Sequence, residues 1–426
     1  MNKAYYITAG ELAKTIEEKK PLPTELQSSK HLIYSSPATL SFNSPGAKGF
    51  GVKRAALAIP DSVMLLVAPA CCGRNTALLN EIGYSERFFY LLLDDTDIVT
   101  GRHLNKIATA AAEIKEELNY TPSSLMICIT CVDALLGTDM DRVCKKCFEK
   151  TGIPTVPAYM YALTRENKLP PMAGVRKSVY SLLKPQKRIS TSCNILGYFS
   201  PLYDNCEIYP LLKSIGITKV GEIARCKTFE EYLSLSQANF NLVLNREARH
   251  AAQYMQENLG IPFIELTRVY SPQKIHKQYQ LLGQALASPI DDSKYYEATL
   301  KKTEYFKKSH PSLTFAVGEW LNGDGFEISL TLLEMGYSVK EIYATVGDGN
   351  ENIIKHIAKI SPQTRVYSNL SPTMLSYRSE GDIDIALGAD AAYYHSTKAL
   401  EFNSETQPFG YQGINMLLDS LSEVLK

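Results

Sequence analysis

The sequence predicts an α/β protein of three lobes, each built on a parallel sheet. Five times a helical pattern ends in glycine and an apolar strand follows at once. The strands are continuous apolar runs, as sheets covered on both faces require. Two polar or charged breaks then divide the chain into three. Glycine just past a helix takes the left-handed conformation that stops it, so each unit reads helix, stop, strand.

Taken in order, an apolar strand from Val63 to Val67 runs into the turn Pro69-Ala70-Cys71-Cys72-Gly73. The unit Leu79-Asn80-Glu81-Ile82-Gly83 precedes a strand from Phe88 to Leu93. A strand from Ser124 to Ile129 turns into a helix beginning near Asp133, and the stop at Gly152 leads to the strand Ile153 to Ala158. The polar linker Lys184 to Thr191 separates these elements from a strand at Asn194 to Phe199. Helices stopped by Gly216 and Gly260, the latter followed by the strand Ile261 to Leu266, complete a second lobe. A long helical stretch from Pro272 to Lys308 carries the charged run Lys301 to Lys308 and stops at His310-Pro311. The strand Thr314 to Val317, the stop at Gly336 and the strand Val339 to Val346 make a third lobe. Its closing helix, Gly410 to Leu425, packs back across the lobes. The domain plan is an N-terminal segment (1–29), lobe one (30–185), lobe two (190–290), a connecting helix (291–310) and lobe three with the C-terminal helix (311–426), all three lobes Rossmann-like.

Lysine plus arginine equals aspartate plus glutamate, 45 against 45, which gives no electrostatic footprint for nucleic acid or an anionic membrane. The N-terminus carries Glu11, Lys14, Glu17, Glu18, Lys19 and Lys20 instead of a signal peptide's apolar core. No apolar run reaches the ~18 residues of a membrane span. The expectation is a soluble, cytoplasmic protein. Its nine cysteines are then thiols, core residues or metal ligands rather than a disulfide framework.

Cys72 and Cys131 stand out among them. Each follows the carboxyl end of a strand, the rim where open α/β sheets place ligands. The helix N-terminus beyond such a position favours thiolate over thiol. Two accessible thiols on one rim read as ligands for a soft metal or an iron–sulfur cluster, with Cys71 able to replace or assist Cys72. Cys128-Ile-Thr-Cys131 and Cys144-Lys-Lys-Cys147 imitate a zinc ribbon. One continuous helix from Asp133 to Lys150 would put Cys144 about 20 Å from Cys131, at ~1.5 Å per residue, too far for one ion. Leu136, Met140, Val143 and Cys147 follow helical spacing, which makes Cys147 a core residue; Cys128 sits in an apolar strand and reads the same way. Gly323-Asp324-Gly325 is either an incomplete phosphate cradle or a sharp strand-to-helix turn. Asp94-Asp95-Thr96-Asp97 reads as a capping or solvated loop, with a hard-cation site as the alternative, and Tyr159, Tyr161, Arg165 and Lys168 follow a strand end that could face a substrate. No catalytic residue is identified.

Four segments resemble nitrogenase component 1-type oxidoreductases, the family of nitrogenase molybdenum–iron subunits, their assembly scaffold and the dark-operative protochlorophyllide reductases. They are Gly51-Val52 with Ile59 to Val63 and Pro69-Ala70-Cys71-Cys72; Asp97 to Gly101 with Leu104 to Ile107; Ile129-Thr130-Cys131 through Met140; and Gln407 to Gly413. They occur in the family's order. The family's first cluster cysteine is missing from Ser44-Pro45-Gly46-Ala47-Lys48, and Val67 stands where a histidine often opens the second cysteine's turn. Asn241-Leu242-Val243-Leu244-Asn245-Arg246 has no cysteine where the nitrogen-fixing subunit holds its cofactor.

The resemblance implies a [4Fe–4S] cluster at a subunit interface, held through Cys72 and Cys131, and not a nitrogen-fixing cofactor subunit. It implies a homodimer or a paralogous component 1 partner, with an ATP-dependent iron–sulfur reductase as transient electron donor. The leading expectation is an oxidoreductase subunit passing those electrons to a substrate. The alternative is a non-catalytic scaffold for metal-cluster or cofactor assembly, and a third reading is a small-molecule binding protein without a cluster.

Overall fold

The computed structural model describes residues 4–26, 55–70, 85–160, 169, 171–347, 349–374, 377–379 and 381–426. Its strands are β1 (Ile7–Thr8), β2 (Val63–Ala68), β3 (Phe88–Leu92), β4 (Leu125–Ile129), β5 (Thr155–Tyr159), β6 (Ile189–Leu196), β7 (Lys219–Gly221), β8 (Ala238–Val243), β9 (Phe263–Glu265), β10 (Thr314–Val317), β11 (Ser338–Tyr343), β12 (Arg365–Tyr367), β13 (Ile385–Leu387) and β14 (Lys398–Leu400). They form three sheets in the orders β3-β2-β4-β5, β7-β6-β8-β9 and β1-β12-β11-β10-β13-β14. Every pairing is parallel except β1 with β12, where Ile7 lies opposite Val366. The first two sheets repeat one topology: the chain starts inside, steps to one edge, then crosses back to fill the other side.

That topology fixes where ligands lie. An open α/β sheet has a crevice at the carboxyl ends of the two strands between which the winding reverses. Here those pairs are β2 and β4, β6 and β8, and β10 and β13.

Alternation along the strands separates two layers. Val63, Leu65 and Val67 join Ile107, Ile127, Met140, Val143 and Cys147 on one face of the first sheet. Met64, Leu66 and Ala68 face the other way, into a core shared with Tyr232, Ala251 and Met255 of lobe two. The buried Arg176 reinforces that junction, donating to the Gly197 carbonyl (3.0 Å) and to Glu247 (2.8 Å). Gly152 and Gly260 cap their helices with φ of 73° and 70°, as the stop signal requires. Gly83 lies outside the described residues.

Two local expectations are corrected. The helix after β4 is broken: Cys131–Leu136 ends at Gly137 (φ 66°), and Asp139 then caps a second helix, Met140–Thr151. Leu136 is thereby turned outward and is 53% exposed. The stretch from Pro272 to Lys308 also divides, into Pro272–Ala285 and Ser293–Ser309, where Pro289 and the left-handed Ala287 (φ 50°) interrupt it. Within the N-terminal segment, β1 extends the third sheet.

Candidate functional site

On the rim of the first sheet, Cys131 opens the helix Cys131–Leu136 and is partly buried. Cys71 and Cys72 lie outside the described residues. Behind Cys131, Asp133 is fully buried and its Oδ1 accepts from Thr138 Oγ1 (2.8 Å) and faces His103 Nε2 (3.1 Å). The other ring nitrogen of His103 faces the Asp97 carbonyl (3.2 Å), so one histidine locks the two rim loops together. Asp94 and Asp97 form a capping box, and Asp97 also takes Lys106 (2.5 Å); the acidic loop is a structural cap. Apolar side chains stand out in water on the same rim: Val99, Leu135 and Leu136 are each more than half exposed. Tyr159 lines a cavity of about 480 Å³ together with Asp133, Asp141 and Lys177. Tyr161, Arg165 and Lys168 lie outside the described residues.

The remaining described cysteines are packing residues. Cys128 and Cys147 are fully buried, and burial pushes the Cys147 thiol up to about 11, out of reach of ordinary thiolate chemistry. Among the described residues no three metal-ligating side chains converge, so the zinc-ribbon imitation has no counterpart in space even though the helix it was argued against is broken.

A second site brings together two segments already noted in the sequence, Asn241 to Arg246 and Gly323 to Gly325. The crevices of the second and third sheets face each other across a cavity of about 370 Å³. Tyr198, Asn245 and Arg246 reach it from the ends of β6 and β8, Arg268 from beyond β9, and Asn322 and Asp324 from beyond β10. Gly323-Asp324-Gly325 is therefore part of its wall. Asp324 Oδ1 already accepts the Phe326 and Glu327 amides (2.9 and 3.0 Å), so the helix turn has its own cap and no free phosphate cradle. Glu327, also in the wall, has its carboxyl raised to about 7, by burial first, against the lowering effect of nearby Lys274.

Residues 48–426 match the family model for the nitrogenase component 1 type oxidoreductases. The chain belongs to that family. Its fold is similar to the solved structure of nitrogenase Cp1 at pH 6.5, with a TM-score of 0.67 over 96% of this chain and 95% of that one at 15% identity. Among curated proteins it is similar to the nitrogenase iron-molybdenum cofactor biosynthesis protein NifE of a Nostoc species, at 28% identity over 49% of this chain and 44% of the relative. The NifE proteins of Rhizobium meliloti (29%, 50% and 47%) and Methanococcus maripaludis (25%, 51% and 46%) match comparably. The chain spans a little under half the length of these relatives. Their names denote cofactor biosynthesis, which overturns the leading expectation that this chain is an enzyme subunit passing electrons to a substrate. Among the described residues no helix is long and apolar enough to cross a membrane.

Proposed function

We propose that this chain is a scaffold subunit that carries a metal cluster or cofactor precursor during assembly and hands it on. The similarity to NifE proteins is the observation that carries this reading. Cys131, and Cys72 or Cys71 a few residues after β2 in the sequence, would hold a [4Fe–4S] cluster together with a second chain. Such clusters take four protein ligands, and the sequence of one chain offers two well-placed thiols, with no cysteine in Ser44-Pro45-Gly46-Ala47-Lys48. The fit is thus partial and calls for a partner, either a second copy or a paralogous subunit. Val99, Leu135 and Leu136 on the Cys131 rim supply an apolar surface for that partner. The chain's own contribution is to fix the rim: the Asp133–His103 contact ties the helix that carries Cys131 to the helices after β3, whose start the Asp94 capping box holds.

Iron and acid-labile sulfide analysis of anaerobically purified protein tests this, followed by incubation with a cluster-free acceptor. Iron and sulfide in equal amounts, lost from this chain and gained by the acceptor, is the expected result. Protein devoid of both sinks the reading, and so does a cluster that stays put while a substrate is turned over.

A further inference from the structure

We infer that Glu319 and Asp390 form a proton-operated latch on the loop after β11, shut while the pair shares one proton and released when that proton leaves. The loop it holds is one by which lobe three rests on lobe two. This goes beyond the scaffold reading, which concerns the rim of lobe one.

Four segments that follow strands of the third sheet meet at these two acids. Glu319 follows β10, and Asp390 lies in the helix Ala389–Tyr394 that follows β13. Asp390 accepts the backbone amides of Glu319 (3.0 Å) and Trp320 (3.1 Å). Glu319 accepts the backbone amide of Thr345 (2.7 Å), just beyond β11. One side-chain amide, Asn369 Nδ2 beyond β12, donates to both carboxylates, at 3.0 Å to Glu319 and 2.7 Å to Asp390. Tyr394 steadies that amide by donating to Asn369 Oδ1 (2.9 Å). A side chain at Gly318 would strike the Asp390 carboxylate, so the backbone is packed directly on the pair.

No cation answers these acids. Among the described residues no lysine, arginine or histidine pairs with either one. Glu319 faces the charge of Asp390 and, from the ends of β11 and β12, the neutral Thr345 and Asn369. Two carboxylates on one amide, away from water, disfavour each other's ionisation. Asp390 takes more N–H donors than Glu319 does, which favours the charge on Asp390 and the proton on Glu319. Burial first, and then the Asp390 charge, raises the Glu319 carboxyl to about 7. Asp390 is 2% exposed, whereas Glu319 is partly exposed and is the arm free to swing into water. Swinging out releases the Thr345 amide. The same loop is held further along by Asn350, which donates to Asp324 (2.9 Å), and it sets Gly349 (φ 92°) against the Arg246 side chain of lobe two, too close for any side chain. Loss of the Thr345 hold therefore loosens a contact between the lobes. The sign follows from the two positions of the arm: about 7 when latched, and the ordinary 4.5 in water. The latched state binds the proton more tightly, so it is favoured at low pH and loses ground as pH rises from 4.5 to 7, by up to about tenfold per pH unit.

Hydrogen–deuterium exchange of the full chain tests the latch, read by mass spectrometry on peptides covering Thr345 from about pH 5 to about pH 8.5 and corrected for the intrinsic pH dependence of exchange. Protection of the loop after β11 should fall by up to about tenfold per pH unit toward pH 7 and level off above it, while β10 and β11 keep theirs. Glu319→Gln cannot ionise and should give protection that does not change with pH. Glu319→Ala has no acceptor for the Thr345 amide and should give low protection at every pH. Circular dichroism checks the fold of both variants, and the parent's own profile decides the matter if either fails to fold. Flat protection in the parent overturns the latch. So does a Glu319→Gln variant that keeps the parent's slope, or a loss of protection in the strands together with the loop.

Discussion

The carboxylate of Glu207 accepts the backbone amide of Tyr411 at 2.7 Å and so caps, from lobe two, the first turn of the C-terminal helix. It also takes Gln412 N (3.0 Å) and Tyr279 OH (2.7 Å), and burial raises its carboxyl above the usual range. Gly410, just before, adopts φ 59°, and a side chain there would strike Glu207. Helix and lobe are thus joined by one fully buried acid. Glu207→Ala should lower stability by about 2–3 kcal/mol, the cost of stranding buried donors. Glu207→Gln should cost less. Denaturant midpoints check this, and an alanine variant within about 0.5 kcal/mol of the parent would contradict it.

Cys131→Ala should remove most iron and sulfide from anaerobically prepared protein. Cys147→Ala, a substitution in the fully buried layer beneath it, should leave both in place while costing about 1 kcal/mol. Equal metal content in the two variants would refute the assignment of Cys131.

Leu135→Asp combined with Leu136→Asp alters only exposed side chains, so the fold should persist. If the rim receives a partner chain, light scattering should show a shift from dimer toward monomer, with cluster content falling in parallel. An unchanged mass would place the partner elsewhere.

Glu327 gives a pH signature. Its folded-state carboxyl is raised to about 7, by burial chiefly, against an ordinary 4.5. The folded state therefore keeps a proton that the unfolded chain releases. That contribution is fully present below about pH 4.5 and is lost as pH rises toward 7, at up to about 1.4 kcal/mol per pH unit for one proton. Glu327→Gln should reduce the slope of denaturant midpoint against pH by one proton's share, leaving that of Glu319, whose carboxyl burial also raises to about 7. A variant that keeps the parent's slope between pH 4.5 and 7 would show that Glu327 is not its source.

Much of the fold was legible because its signals are local. Gly152 and Gly260 stop helices by a conformation that one residue determines, and β2 and β4 are apolar throughout because helices cover both faces. The two broken helices were missed because helical periodicity outran weaker breakers, Gly137 with the Asp139 cap in one case and Pro289 in the other. Cys131 was visible as a residue type at a strand end. Arg268 was not, since a lone arginine has no motif; its meaning lies in contacts with Tyr198 and Gln407, far away in sequence. Likewise two residues of strand at Ile7–Thr8 carry no periodicity to detect.

That short strand has a consequence for synthesis. Ile7 and Thr8 are made before their partners Val366 and Arg365, which follow only after all the intervening chain. Until then the helix Ala9–Glu17, whose Leu12 and Ala13 are buried in the finished protein, has nothing to pack against. Lobe three exposes an unpaired sheet edge until the two ends meet, which is the kind of edge that recruits wrong partners. Closing this long loop is therefore a step at which nascent chains are open to chaperones and to misassembly.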